Sequence, residues 1–172
     1  MLRALKSQLT QLAEDPLDPF SEQIRRRIGP REAVRYTKAL RSFVLVMPEL
    51  IAQIRAWLEG PAISPAMKRL HGFLLTYLYH PADFLPEGST GLFGYLDDAY
   101  LVGSASLRTM EQMDHVARRT LPNLNDLCSQ VSKWLEQARQ LLPEETGRMD
   151  RMLDEILQGR TKEFRELLSR GP

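Results

Sequence analysis

Ser64-Pro65-Ala66-Met67-Lys68-Arg69-Leu70-His71-Gly72-Phe73-Leu74-Leu75-Thr76-Tyr77-Leu78 is the stretch on which the fold class turns. Met67, Leu70, Phe73, Leu74, Tyr77 and Leu78 recur at three- and four-residue spacing, which gathers them on one side of a helix. Ser64 suits an N-cap, and Pro65 suits the first helical position, where its missing N–H costs nothing. The helix is predicted to end before Pro81, because a proline pushes His80, the residue before it, away from helical angles.

The same spacing continues outward in both directions. Leu2, Leu5, Leu9 and Leu12 form an opening stripe, ended by the turns at Asp15-Pro16 and Asp18-Pro19. The basic run Arg25-Arg26-Arg27 leads to Gly29-Pro30. From Arg31 a helix is predicted with Val34, Ala39, Leu40, Phe43, Val44 and Met47 on its apolar side. Pro48 is expected to bend or break it, since proline removes a donor and clashes with the preceding turn. Leu50, Ile51, Ile54, Trp57 and Leu58 carry the pattern to Gly60-Pro61.

Downstream, a long helix is predicted from about Tyr95 to Arg119, closed by Leu121-Pro122. Asn123 can cap the next one, whose stripe is Leu124, Leu127, Val131, Trp134, Leu135, Ala138 and Leu142. Pro143 to Gly147 reads as a break before a terminal helix with Met152, Leu153, Ile156, Leu157, Phe164, Leu167 and Leu168, interrupted near Gly159. No run alternates with period two. The expected fold is therefore all-α, a compact bundle of about six or seven helices forming one domain over residues 1–172.

Composition narrows the function classes. Of 172 residues, 43% are hydrophobic and 26% charged, ordinary values for a globular chain that buries its own core. Lys and Arg number 23 against 22 Asp and Glu, which disfavours a surface devoted to nucleic acid. The single cysteine, Cys128, lies in an apolar helical pattern with no cation nearby in sequence, so a buried inert thiol is expected. Neither a secretory signal nor a membrane span is legible, so a cytoplasmic setting is expected, with a membrane-peripheral one as the alternative.

The most distinctive stretch reads Tyr79-His80-Pro81-Ala82-Asp83-Phe84-Leu85-Pro86-Glu87-Gly88-Ser89-Thr90-Gly91-Leu92-Phe93-Gly94-Tyr95-Leu96-Asp97-Asp98. It interleaves apolar and acidic residues, so it is expected to pack on the body of the protein, with Asp side chains accepting from loop amides. Pro81, Asp83, Phe84, Leu85, Pro86, Glu87, Gly94, Leu96, Asp97 and Asp98 resemble the hallmark of the YkvA-like domain family, a group named for an uncharacterised bacterial protein. Glu87 departs from the family's usual aspartate. The resemblance spans about residues 66–105 and implies a helix–loop–helix unit, common in bacteria, without an established activity.

Two readings of the acids follow. In the structural one, Asp83 accepts from amides near the second proline, while Asp97 and Asp98 occupy the first turn of the next helix, where the dipole favours negative charge. In the other, Asp83, Asp97 and Asp98, with Glu87 as an optional further ligand, converge on Mg²⁺ or Ca²⁺ through carboxylate oxygens. Adjacent helical residues diverge by about 100°, which weighs against the second. Gly88, Gly91 and Gly94 lack the strand and lysine of a phosphate-binding loop and read as turn residues.

The remaining candidates are weaker. His71, His80 and His115 are too scattered for a legible metal site, and Glu111 with His115 reads as a solvated or structural pair. Ser104 and Ser106 have no nucleophile context. Arg25, Arg26 and Arg27, with Arg31 and Arg35, read as a solvated face pairing with Glu22 and Glu32; the alternative is a patch for an anionic membrane surface. Arg118-Arg119 is a smaller pair of the same kind, and the Trp57 and Trp134 stripes read as core. The sequence thus points to a non-enzymatic interaction or adaptor protein that needs no cofactor. A protein partner or self-association is expected, with a metal-dependent or membrane-peripheral function as alternatives.

Overall fold

The computed structural model describes residues 2–60, 63–79, 84–85, 91–113, 122–162 and 164–165, and for 122–125 the backbone alone. Among the described residues there are seven α-helices and no strand. In chain order these are α1 (Leu2–Glu14), α2 (Phe20–Ile28), α3 (Pro30–Glu59) and α4 (Pro65–Tyr77). A 3-10 turn (Gly91–Tyr95) follows, then α5 (Leu96–Gln112), α6 (Pro122–Leu141) and α7 (Pro143–Leu157). The expected all-α bundle is what the chain forms.

Helix boundaries follow local chemistry. The Ser64 hydroxyl accepts from the Met67 amide, with Pro65 opening α4. Gly29 adopts φ +81°, a left-handed angle open to glycine at little cost, and lets α2 turn directly into Pro30 of α3. Helix α3 forms the spine of the bundle at about 45 Å, given a 1.5 Å rise per residue. It packs on α1, α2, α5 and α6, and α5 in turn contacts α4, α6 and α7. Where α5 passes α3, a Cβ on Gly103 would lie 2.7 Å from the Phe43 ring and 3.1 Å from Val131 on α6. That closeness leaves room only for hydrogen.

The structure corrects four expectations. Helix α3 runs unbroken through Pro48, because Val44, Met47, Leu50, Ile51 and Ile54 on both sides are buried. Burying such side chains gains about 1.5–3 kcal/mol each, enough to offset a cost of about 3 kcal/mol for one interior proline. Val34 is not on the apolar side: it is 79% exposed, since the buried face of α3 passes through Ala33 and Tyr36. Helix α5 ends at Gln112, short of Arg119, where Met113 turns extended (φ −68°, ψ 143°) and buries its side chain. Residues 114–121 lie outside the described set. Finally, the last break is the single residue Leu142 (φ −133°, ψ 58°); Pro143 opens α7 and Gly147 lies inside it, with Glu144 and Glu145 in the first turn.

The tryptophans stand as read, and Cys128 departs in part. Trp57 is buried, and Trp134 is half-buried and stacked on Phe43 at 5.5 Å. Cys128 is half-buried against the core, more open than expected. Gly159, at φ +76°, follows the end of α7.

Candidate functional site: a carboxylate clamp at the head of α5

The acidic loop returns to the bundle where α4 ends and α5 begins. Helix α4 supplies Tyr77, which is fully buried, and the first turn of α5 supplies Asp97 and Asp98, 1% and 7% exposed. Asp97 Oδ2 accepts from the Tyr77 hydroxyl at 2.9 Å and from the Leu85 amide at 3.0 Å. Its Oδ1 accepts from the Asp98 amide at 3.0 Å. The Tyr77 oxygen in turn accepts from the Phe84 amide at 3.2 Å. One buried carboxylate and one phenol thus hold two consecutive loop amides. Such a charge is tolerable in the interior because donors surround it and a helix N-terminus lies beneath it.

The apolar residues of the loop complete the seat. Leu85 is buried, and the Phe84 ring lies tilted 6.0 Å from Tyr77 with the Arg148 guanidinium of α7 at 5.2 Å from its centroid. The loop therefore joins α4, α5 and α7.

A second carboxylate fastens the loop's exit. Asp18 Oδ1 accepts from the Phe20 amide at 3.0 Å and Oδ2 from the Leu92 amide at 2.8 Å, so one side chain ties the start of α2 to the 3-10 turn. Gly91 has φ +56°, and a Cβ there would collide with the Asp18 carboxylate. Phe93 packs between Phe20, at 6.2 Å, and the Arg27 guanidinium, at 4.6 Å. Tyr95 accepts from Gln8 Nε2 of α1 at 2.7 Å.

Sequence reading named Asp97 and Asp98 correctly as first-turn residues and missed how deeply both are buried. It missed Asp18 and Tyr77 as anchors altogether. The acceptor for the amide before the second proline is Asp97. Pro81, Asp83, Pro86 and Glu87 lie outside the described residues, as do His80, Gly88, His115, Arg118 and Arg119. Gly94 is buried in the 3-10 turn. Among the described residues no three His, Cys, Asp or Glu side chains stand close enough together to hold a metal ion. The set Asp83, Asp97 and Asp98 includes one residue outside them.

The other singled-out residues have structural surroundings. His71 is fully buried, with Nε2 2.8 Å from the Thr109 hydroxyl and Trp57 stacked at 6.0 Å. Thr109 spends its proton on the Ala105 carbonyl at 2.7 Å, so His71 Nε2 carries the hydrogen and Nδ1 is bare. Burial lowers the His71 pKa from 6.5 to about 4, which keeps the ring neutral. The buried hydroxyls of Ser104 and Ser106 make no hydrogen bond among the described residues.

Arg25 and Arg26 pair with Glu22 at 2.7 and 3.1 Å, and the Arg26 hydrogen bond leads in holding that carboxyl below its usual range. Arg35 pairs with Glu32, and Arg27 turns onto Phe93. No helix among the described residues is long and apolar enough to cross a membrane.

Across α5, α6 and α7, the Tyr100 hydroxyl donates to Asp150 at 2.7 Å, and Arg108 bridges Asp150 and Asp154. Burial, then the hydrogen bond to Asp150 and that carboxylate's charge, pushes the Tyr100 hydroxyl well above its ordinary value. This network locks α5 to α7.

Comparison with curated proteins and with solved structures returns no match. Residues 67–103, the segment that contains Tyr77, the loop and the clamp carboxylates, match the model of a family described as a protein of unknown function (DUF1232), consistent with the YkvA-like resemblance of the loop.

Proposed function

We propose that the protein is a non-enzymatic helical interaction or adaptor protein whose acidic loop is a brace that holds a helix–loop–helix in one shape. The observation that carries this reading is the engagement of Asp97: both oxygens already accept hydrogen bonds from the protein, two of them from the Tyr77 hydroxyl and the Leu85 amide. A carboxylate committed in this way is a support and a poor general base. Chemical cross-linking and pull-down from native cells test the proposal. It expects a reproducible protein partner or self-association, and recovery of neither refutes it.

The competing reading is a divalent-metal-dependent function through Asp83, Asp97 and Asp98. Its support is the pair of adjacent buried carboxylates at the loop's return. A cation on Asp97 Oδ2 would have to displace the Leu85 amide or the Tyr77 hydroxyl. Calorimetric titration with Mg²⁺, Ca²⁺ and Mn²⁺ separates the two readings: the brace gives no heat and no rise in melting temperature, and metal binding gives both.

A further inference from the structure

Outside the loop junction, α2 and α3 leave a surface groove of about 520 Å³ that no other described element lines. Its α3 wall runs from Pro30 through Ala33, Val34, Lys38 and Arg41 to Leu45. These positions repeat every three or four residues over about 22 Å, four turns of helix. Arg25 closes the α2 side, and no carboxylate of the described residues lines the groove. Arg25 is paired with Glu22, but Lys38 and Arg41 make no ion pair with any described residue. The Arg41 guanidinium lies 5.8 Å from the Phe20 ring centroid, and its buried Nε has no hydrogen-bond partner among the described residues. Val34, 79% exposed on the same wall, is one of few large apolar side chains so open to water.

We infer that this groove docks an amphipathic partner helix of about four turns, with an apolar stripe flanked by Asp or Glu. The inference rests on the interaction reading above and deepens it by naming a surface and a partner chemistry. A free anion would use Lys38 and Arg41 and leave Val34 and Leu45 unexplained, whereas an acidic amphipathic helix uses both. Helices seat in such grooves through anchors at i, i+3, i+4 and i+7, and the unpaired cations set orientation and association rate.

The test uses the full chain, isotope-labelled for NMR, and two synthetic 18-residue peptides. One carries a leucine stripe flanked by Glu; in the other every Glu is replaced by Lys. The Glu peptide is expected to shift the backbone signals of Ala33, Val34, Lys38, Arg41 and Leu45 and to bind more weakly as salt rises. The double substitution Lys38→Glu/Arg41→Glu is expected to weaken it about tenfold, the upper range for two exposed ion pairs. Val34→Glu should also weaken it. Val34 and Lys38 are exposed and Arg41 is half-buried over Phe20, so melting curves of every variant serve as the folding control. Lys38→Glu alone, still expected to weaken the Glu peptide, carries the charge test if the Arg41→Glu chain melts early.

The inference fails if the Lys peptide binds equally well or if neither peptide binds. It fails too if the same variants abolish binding to phosphatidylglycerol vesicles while the Glu peptide is inert, an outcome that assigns the groove to a membrane surface. Peptide signals mapping to Tyr77 and Asp97 instead would overturn the groove and leave the interaction reading standing. A native-cell cross-link that recovers no partner refutes the interaction reading itself.

Discussion

Replacing Asp97 by Ala removes the acceptor for the Tyr77 hydroxyl, the Leu85 amide and the Asp98 amide in one step. A buried donor left without an acceptor costs about 1–3 kcal/mol. Two of these donors come from outside α5 and are buried with the clamp, so the expected loss is ~3–5 kcal/mol after relaxation. For a chain of this length each kcal/mol moves the melting temperature by about 2–4 °C, which puts the variant ~6–20 °C below the parent. Tyr77→Phe removes one donor to Asp97 and the acceptor for the Phe84 amide, and should cost about 1–2 kcal/mol.

Because the two side chains share a bond, the double variant should be less destabilised than the sum by about 1 kcal/mol. Urea unfolding of all four proteins by circular dichroism, at neutral pH with a chelator present, reads the cycle. An Asp97→Ala protein within about 0.5 kcal/mol of the parent, the range of a bland surface change, refutes the clamp. Strict additivity refutes the Tyr77–Asp97 link.

Three further outcomes are expected. Gly91→Ala should destabilise by roughly 2–3 kcal/mol in denaturant titration, combining a left-handed backbone angle with collision at Asp18; since Asp18→Ala removes that collision along with two amide acceptors, the double variant should lose less than the sum of the two single changes. Gly103→Ala should lower the melting temperature although alanine favours helix by about 1 kcal/mol, because the added methyl meets the Phe43 ring at 2.7 Å. His71 gives a pH signature: with a folded pKa of about 4 against 6.5 unfolded, the unfolded chain binds the extra proton. Its stability contribution is therefore complete above pH 6.5 and is lost as pH falls from 6.5 towards 4. The full loss is about 3 kcal/mol; melting curves across this window should show that fall in the parent and a flatter profile in His71→Gln.

Helix content was legible because it depends on spacing along the chain: Leu50, Ile51, Ile54 and Trp57 are buried as read, as are Met67, Leu70, Leu74 and Tyr77, while Phe73 and Leu78 of the same stripe are half-buried against the core. Which residue faces the core was less legible. Val34 and Ala33 are neighbours, and only the packing of other helices on α3 decides that Ala33 turns inward and Val34 outward. Pro48 is a strong local signal that tertiary burial overrides.

The anchors of the candidate site lay beyond sequence reading for a similar reason. Asp18 meets the Leu92 amide across 74 positions of chain, and Tyr77 looks like one more member of an apolar stripe until its hydroxyl finds Asp97. The one available hint was a pair of Asp-Pro turns so near the N-terminus. The first-turn position of Asp97 and Asp98 was legible from the helix start near Tyr95 that they follow. Their burial was not, because it depends on a loop that folds back over them.

Amide hydrogen exchange at Leu85, in protein stripped of divalent cations, tests the central claim most directly. The clamp predicts that this amide is protected without any metal and exchanges freely in Asp97→Ala. An unprotected Leu85 amide in the stripped protein, recovering protection only when Mg²⁺, Ca²⁺ or Mn²⁺ is added, contradicts it.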